Sequence, residues 1–311
     1  MIFTDNITSN LGNILGSQSV WESIDQDYSP QDLTDFQTNF QLPIEAVAKD
    51  IGGYNLSSTC VISPDDCGEA NVDVQYMMAV SQVTPTVYYY DNSSDFLISW
   101  AYNLLNMTDP PLVNSISYGC EEYELDEEYA QTANNLFMML AARGVTIVVS
   151  SGDDGAPGYD ARYNASNCGY SPEWPASMPY VLSVGATQGP EADQPEIACA
   201  SNTGGVITSG GGFSNLYQRP SWQVSEVEGQ YFSYIAISGY QPVSGFNITG
   251  RGYPDISALG FDYNVLLGSF AFTSKKIHIL LSYFSNVLNF CFYCFGFLLI
   301  CSLPSKLFDS F

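Results

Sequence analysis

The chain has 311 residues, 46% of them apolar, enough to bury one sizeable core in one large or two smaller domains. Its 33 Asp and Glu face 8 Lys and Arg, giving a net charge of −25 and a pI near 4.1. Such a surface repels phosphate backbones and anionic headgroups, which argues against nucleic acid as a partner. Its self-repulsion eases where carboxylates begin to protonate, in the pH range of an acidic compartment.

The chain opens on MIFTDNITSN, with neither a basic n-region nor an apolar h-region. Six N-x-[ST] sequons nevertheless occur, at Asn6, Asn55, Asn92, Asn106, Asn164 and Asn247, and suggest passage through the secretory pathway. Either the start is missing or the sequons are unused. Cys60, Cys67, Cys120, Cys168 and Cys199 form no CxxC pair suggestive of zinc; disulfides are expected, with a pairing that sequence does not give.

From Glu69 onward the two hydrophobic periods alternate. Residues 69–80 read as a helix, 87–90 as a strand, 95–105 as a helix, 112–117 as a strand and 127–143 as a long amphipathic helix. VTIVVS at 145–150 has the β-branched character of a buried parallel strand, and 180–184 is another. Strands separated by helices predict a right-handed, doubly wound, mostly parallel α/β sheet with helices on both faces. Functional residues of such sheets collect at the carboxyl ends of strands. The Gly- and Pro-rich stretches after 187, including 210–212, read as long surface loops.

The last 41 residues differ in kind, so the chain divides into 1–270 and a divergent tail at 271–311. Residues 1–270 hold 32 acidic and 5 basic residues, the tail one and three. Between Lys276 and Lys306 lie 29 residues without formal charge, long enough to span a bilayer. Ser282, Asn286, Asn289 and Gly296 interrupt the run, and Lys275 and Lys276 flank it on the side that the positive-inside tendency would keep in the cytoplasm. Translated non-coding sequence is the favoured reading, and a membrane anchor at 277–303 the other.

Two constellations can carry chemistry. In GEANVDVQY, Glu69 and Asp73 stand at i and i+4 and emerge on one helix face. Paired carboxylates repel, so one holds a proton that the other polarises, which suits proton transfer in acid. A solvated helix face gives the same spacing. In SSGDDG, Asp153 lies just past the VTIVVS strand on a Gly-flanked turn, placed to face a cleft and, if protonated, to donate to an oxyanion. An ordinary turn has the same composition. The one histidine, His278, lies in the tail, so a Ser-His-Asp or Cys-His mechanism has no credible base.

Together these residues resemble the sedolisin family, the serine-carboxyl peptidases, of the tripeptidyl-peptidase I type. GEANVDVQYMM resembles the helix bearing that family's catalytic Glu and Asp, SSGDDGAPG its S-G-D-x-G oxyanion turn, and SISYG at 115–119 the strand lining its substrate cleft. EWPASMPYVLSVGAT, SGGGFSNLYQRPSWQ and GRGYPDIS follow in the family's order, and the likeness covers residues 20–270. It implies a subtilisin-like fold, incomplete at both ends, that acts on peptide or unfolded protein substrates in lysosomes or acidic extracellular fluid. Glu69 is then the general base, Asp73 its partner, Asp153 the oxyanion donor, and Ser117 and Gly119 substrate-binding residues. The G-T-S-A-x-x-P segment that supplies the nucleophile is absent after Gly268. Ser274 is the nearest serine, without the preceding Gly or the following Pro, so this chain is expected to be inactive. The family's calcium site falls in the C-terminal region that the tail replaces, so no cofactor is assigned. A noncatalytic peptide-binding module, secreted or membrane-tethered, is the alternative.

Overall fold

The computed structural model describes residues 16–95, 97–164, 168–239, 245–268 and 270–274. The first half runs β1 (Gln18–Glu22), α1 (Pro30–Asn39), β2 (Lys49–Ile51), α2 (Ser57–Ile62), α3 (Gly68–Ser81), β3 (Thr86–Tyr90), α4 (Leu97–Asn106) and β4 (Val113–Ile116). It continues with β5 (Cys120–Glu121), α5 (Glu127–Ala142), β6 (Thr146–Ser150), β7 (Glu173–Trp174), β8 (Leu182–Gln188) and β9 (Ile197–Ala198). The last part holds β10 (Gly212–Gln218), α6 (Phe232–Ser238), β11 (Gly250–Tyr253), β12 (Ile256–Leu259), β13 (Tyr263–Leu267) and β14 (Phe270–Ser274).

Eight strands form the main sheet, in the order β12-β8-β6-β4-β1-β3-β2 with β9 antiparallel to the end of β8; the other neighbours are parallel. β1 sits near the centre and all five of its residues are buried. Its side chains alternate between two cores, as the pleat requires. Val20 and Tyr88 meet Leu33 of α1 and Ala70, Val74 and Met77 of α3 on one face. Trp21 and Tyr89 meet Trp100 of α4 and Phe137 and Leu140 of α5 on the other. Helices on both faces are thus observed.

One expectation is corrected. The step from β1 to β2 and the step back from β2 to β3 run in opposite directions along the sheet, yet α1 and α3 share a face. One of these two crossovers is therefore left-handed, against the usual rule. The region after 187 is also more ordered than its glycines suggest: β12 extends the main sheet on β8, and β10 pairs with β11. No helix among the described residues is long and apolar enough to cross a membrane, and the tail beyond Ser274 lies outside them.

α3 is buried from Ala70 through Ala79, because it has neighbours on more than the sheet side. On its outer flank Asn71 Nδ2 and Gln75 Nε2 both donate to Leu266 O, at 3.0 and 2.9 Å, and Leu266 N donates to Gln75 Oε1 at 3.1 Å. At 100° per residue these two positions lie about opposite Glu69 and Asp73 on the helix. The β13–β14 hairpin thus docks on the face that the two carboxylates leave free. A disulfide between Cys60 and Cys67 ties α2 to the residue just before α3. Cys120, Cys168 and Cys199 are free thiols.

Candidate active site

Three neighbouring strands, β1, β4 and β6, deliver the site at their carboxyl ends. Glu22 is the last residue of β1, Ser117–Tyr118–Gly119 follow β4, and Ser151–Gly152–Asp153 follow β6. Strands lie roughly 4.8 Å apart, so these ends fall within about 10 Å of one another. α3 runs back against the strands and therefore starts at this edge, with Glu69 and Asp73 in its first turns.

The two acids of α3 do not occupy a solvated face. Asp73 is 2% exposed and Glu69 is half-buried. Ser117 Oγ donates to Asp73 Oδ2 at 2.6 Å. Beside them stands a third carboxyl that the motif reading did not include: Glu22, fully buried, accepts the Tyr118 hydroxyl on Oε2 at 2.7 Å. Burial drives the Glu22 pKa well above the ordinary 4.5, the charges of Asp73 and then Glu69 push it further, and the Tyr118 hydrogen bond opposes them. Burial, followed by the charges of Glu22 and Glu69, also raises the Tyr118 hydroxyl far above 10, which keeps it a donor. Burial and the two neighbouring acids thus favour the protonated form of Glu22 in this group of three carboxyls. A carboxyl at the end of a buried strand is the same signal that marks Asp153, and it was available in QSVWE at 18–22.

Asp153 lines a cleft of about 510 Å³ together with Gly119, Ser150, Gly152, Glu173 and Trp174. Its turn is fixed by backbone bonds from Thr208 N to Asp153 O and from Gly210 N to Gly152 O, each 2.8 Å. Two glycines are required for this. Gly152 has φ +97°, and a Cβ there would lie 2.7 Å from Glu173 Cγ; a Cβ on Gly210 would lie 1.9 Å from Ser151 O. Asp154, next in the chain, pairs with Arg162 across the same cleft.

Three consecutive residues join the carboxyl cluster to the cleft: Ser117 contacts Asp73, Tyr118 contacts Glu22, and Gly119 lines the cleft beside Asp153. Ser117 is 2% exposed with its hydroxyl committed to Asp73, so of the two residues assigned to substrate it is Gly119 that faces the cleft. Ser274 pairs with Tyr263 in the β13–β14 hairpin, on the flank of α3 away from Glu69 and Asp73. Among the described residues no three His, Cys, Asp or Glu side chains gather into a metal-binding group.

A parallel sheet with its acids at the carboxyl edge defines the class of the chain: residues 79–276 match the subtilase family profile, and the chain belongs to that family. Within it the chain is of the sedolisin and tripeptidyl-peptidase type. It is 32% identical over 275 residues to physarolisin of Physarum polycephalum, covering 78% of this chain and 46% of the relative. To tripeptidyl-peptidase 1 of Macaca fascicularis it is 34% identical over 279 residues, covering 84% and 45%. To that of Dictyostelium discoideum it is 34% identical over 274 residues, covering 85% and 40%. The chain thus spans less than half the length of these relatives. The fold matches Pseudomonas sedolisin, a serine-carboxyl proteinase, with a TM-score of 0.54 at 23% identity over 86% of this chain and 70% of that one.

Proposed function

We propose that the chain carries the proton-handling and oxyanion parts of an acid-acting serine-type peptidase that hydrolyses peptide bonds. Glu69 accepts the proton of a serine hydroxyl as that oxygen attacks the peptide carbonyl, and returns it to the leaving amine. Asp73, oriented by Ser117, fixes and polarises Glu69. Glu22 stays protonated, which limits the negative charge of the cluster. Asp153, protonated in acid, donates to the developing oxyanion in the cleft. The observation that carries this reading is the bridge from Asp73 and Glu22 through Ser117–Tyr118–Gly119 to the cleft wall at Asp153.

The serine comes from a Gly-Thr-Ser segment that this sequence does not contain. Without it the 311 residues do not make up the full catalytic set, and the setting we propose for the enzyme is lysosomal or secreted. The test is hydrolysis, at acid pH, of a peptide with a free N-terminus. The chain as written leaves it intact, and a version continued past Gly268 into a Gly-Thr-Ser segment cleaves it. In that version Glu69→Gln and Asp73→Asn each lower kcat at least 100-fold, the scale of a lost general base. Full cleavage by either variant overturns the reading. The noncatalytic peptide-binding alternative is favoured by the missing segment alone and predicts no cleavage by the extended version.

A further inference from the structure

α3 has no side-chain cap of its own. Its N-cap residue, Cys67, offers no side-chain acceptor, although the first N–H groups of a helix have no partner inside it. The missing acceptor comes from another part of the chain. Gln26 Oε1 accepts Glu69 N at 3.1 Å, while Gln26 Nε2 donates to Asp65 O at 3.0 Å. One partner needs an acceptor and the other a donor, so the amide has a single possible orientation.

The backbone is bent to deliver this side chain. Ile24 and Asp25, consecutive and neither of them glycine, have φ +54° and +56°, and a β-branched residue rarely adopts that region. Ile24 is 67% exposed, so packing of its own side chain does not enforce the turn. Tyrosines do: Asp25 Oδ1 accepts the Tyr54 and Tyr90 hydroxyls at 3.0 and 3.2 Å, and Tyr88 donates to Gln26 O at 2.7 Å. The turn starts one residue after Glu22 and ends on the amide of Glu69. Strain persisting where the surroundings over-determine it is a mark of functional sites.

We propose that Gln26 is a positioning residue for the proton-handling helix, capping α3 from outside and so fixing Glu69 relative to Glu22. The proposal rests on the reading of Glu69 as the proton acceptor, but its test does not require peptide cleavage. In the full chain, Gln26→Met removes acceptor and donor at similar size, and Gln26→Glu keeps the acceptor. Two signals are followed: hydrogen exchange of the Glu69 amide, and the carboxyl titration of Glu22, which interacts with Asp73 and Glu69 of α3, Tyr118 of the segment after β4 and Tyr88 of β3. In Gln26→Met the Glu69 amide exchanges about tenfold faster or more, as expected for an opened helix end, while amides of β4 and β6 keep their rates. The Glu22 midpoint falls, because the Glu69 charge is no longer fixed beside it. In Gln26→Glu the amide is slow again and Glu22 stays raised. The proposal is overturned if Gln26→Met leaves both signals unchanged, if β4 and β6 open as well, or if Gln26→Glu behaves like Gln26→Met. Exchange at Glu69 reports the cap even if Glu69 moves no proton, so a failed cleavage assay and a failed cap are told apart.

Discussion

Glu22 shows how environment decides what a carboxyl does. Glu69 and Asp73 are one helical turn apart and visible as a pair, but Glu22 is fully buried and feels the charge of both. Its folded pKa lies above the unfolded one, so the stability it contributes is complete below about 4.5 and is lost as pH rises toward the folded value. Glu22→Gln should therefore flatten the fall in thermal midpoint between pH 4 and pH 7, relative to the unaltered chain, in scans at matched salt. Ser117 gives a second test. Its bond to Asp73 is short and buried, and hydrogen bonds to charged groups contribute about 1.5–3 kcal/mol, so Ser117→Ala should lower stability by about that amount in urea titration.

At the scale of elements, sequence and structure agree where one period dominates. The helices read at 69–80 and 127–143 are found as α3 and α5, and the strand at 145–150 as β6, each within a residue or two. β1 is the failure that mattered. It has no polar–apolar alternation to read, since Gln18, Ser19 and Glu22 are buried along with Val20 and Trp21. Gln18 and Ser19 bond to side chains distant in sequence: Gln18 Nε2 donates to Ser81 and Thr86, and Ser19 Oγ donates to Asn114. Glu22 stands at a strand end only once QSVWE is taken as a strand. After residue 187 the glycines suggest loops, and Gly210 does lie in one, where its backbone approaches Ser151 closely. A methyl group 1.9 Å from a backbone oxygen cannot be absorbed by a rotamer change, so Gly210→Ala should destabilise by roughly 3 kcal/mol or more, or prevent folding. Circular dichroism melts compared with Gly204→Ala, whose Cβ meets nothing within 4 Å, would separate crowding from the loss of a glycine; both glycines lie in loops, though Gly204 carries its own strain at φ +97°.

For the whole molecule, charge sets the working range. The chain carries a net charge of −25, and burial raises the pKa of Glu22 and Glu122 while burial with neighbouring acids raises Glu124. All three favour the folded state more at low pH than at high pH. The thermal midpoint should be higher near pH 4.5 than near pH 7, and added salt should recover part of the difference by screening surface repulsion. At the site, everything turns on Glu22 keeping its proton beside Asp73 and Glu69. The most direct test is a carbon-13 titration of the glutamate carboxyls in the intact chain, assigned through Glu22→Gln and Glu69→Gln. Glu22 should stay protonated well above pH 4.5, with its midpoint falling when Asp73 is replaced by Asn. A Glu22 that titrates near 4.5 and ignores the charge at Asp73 would contradict the account.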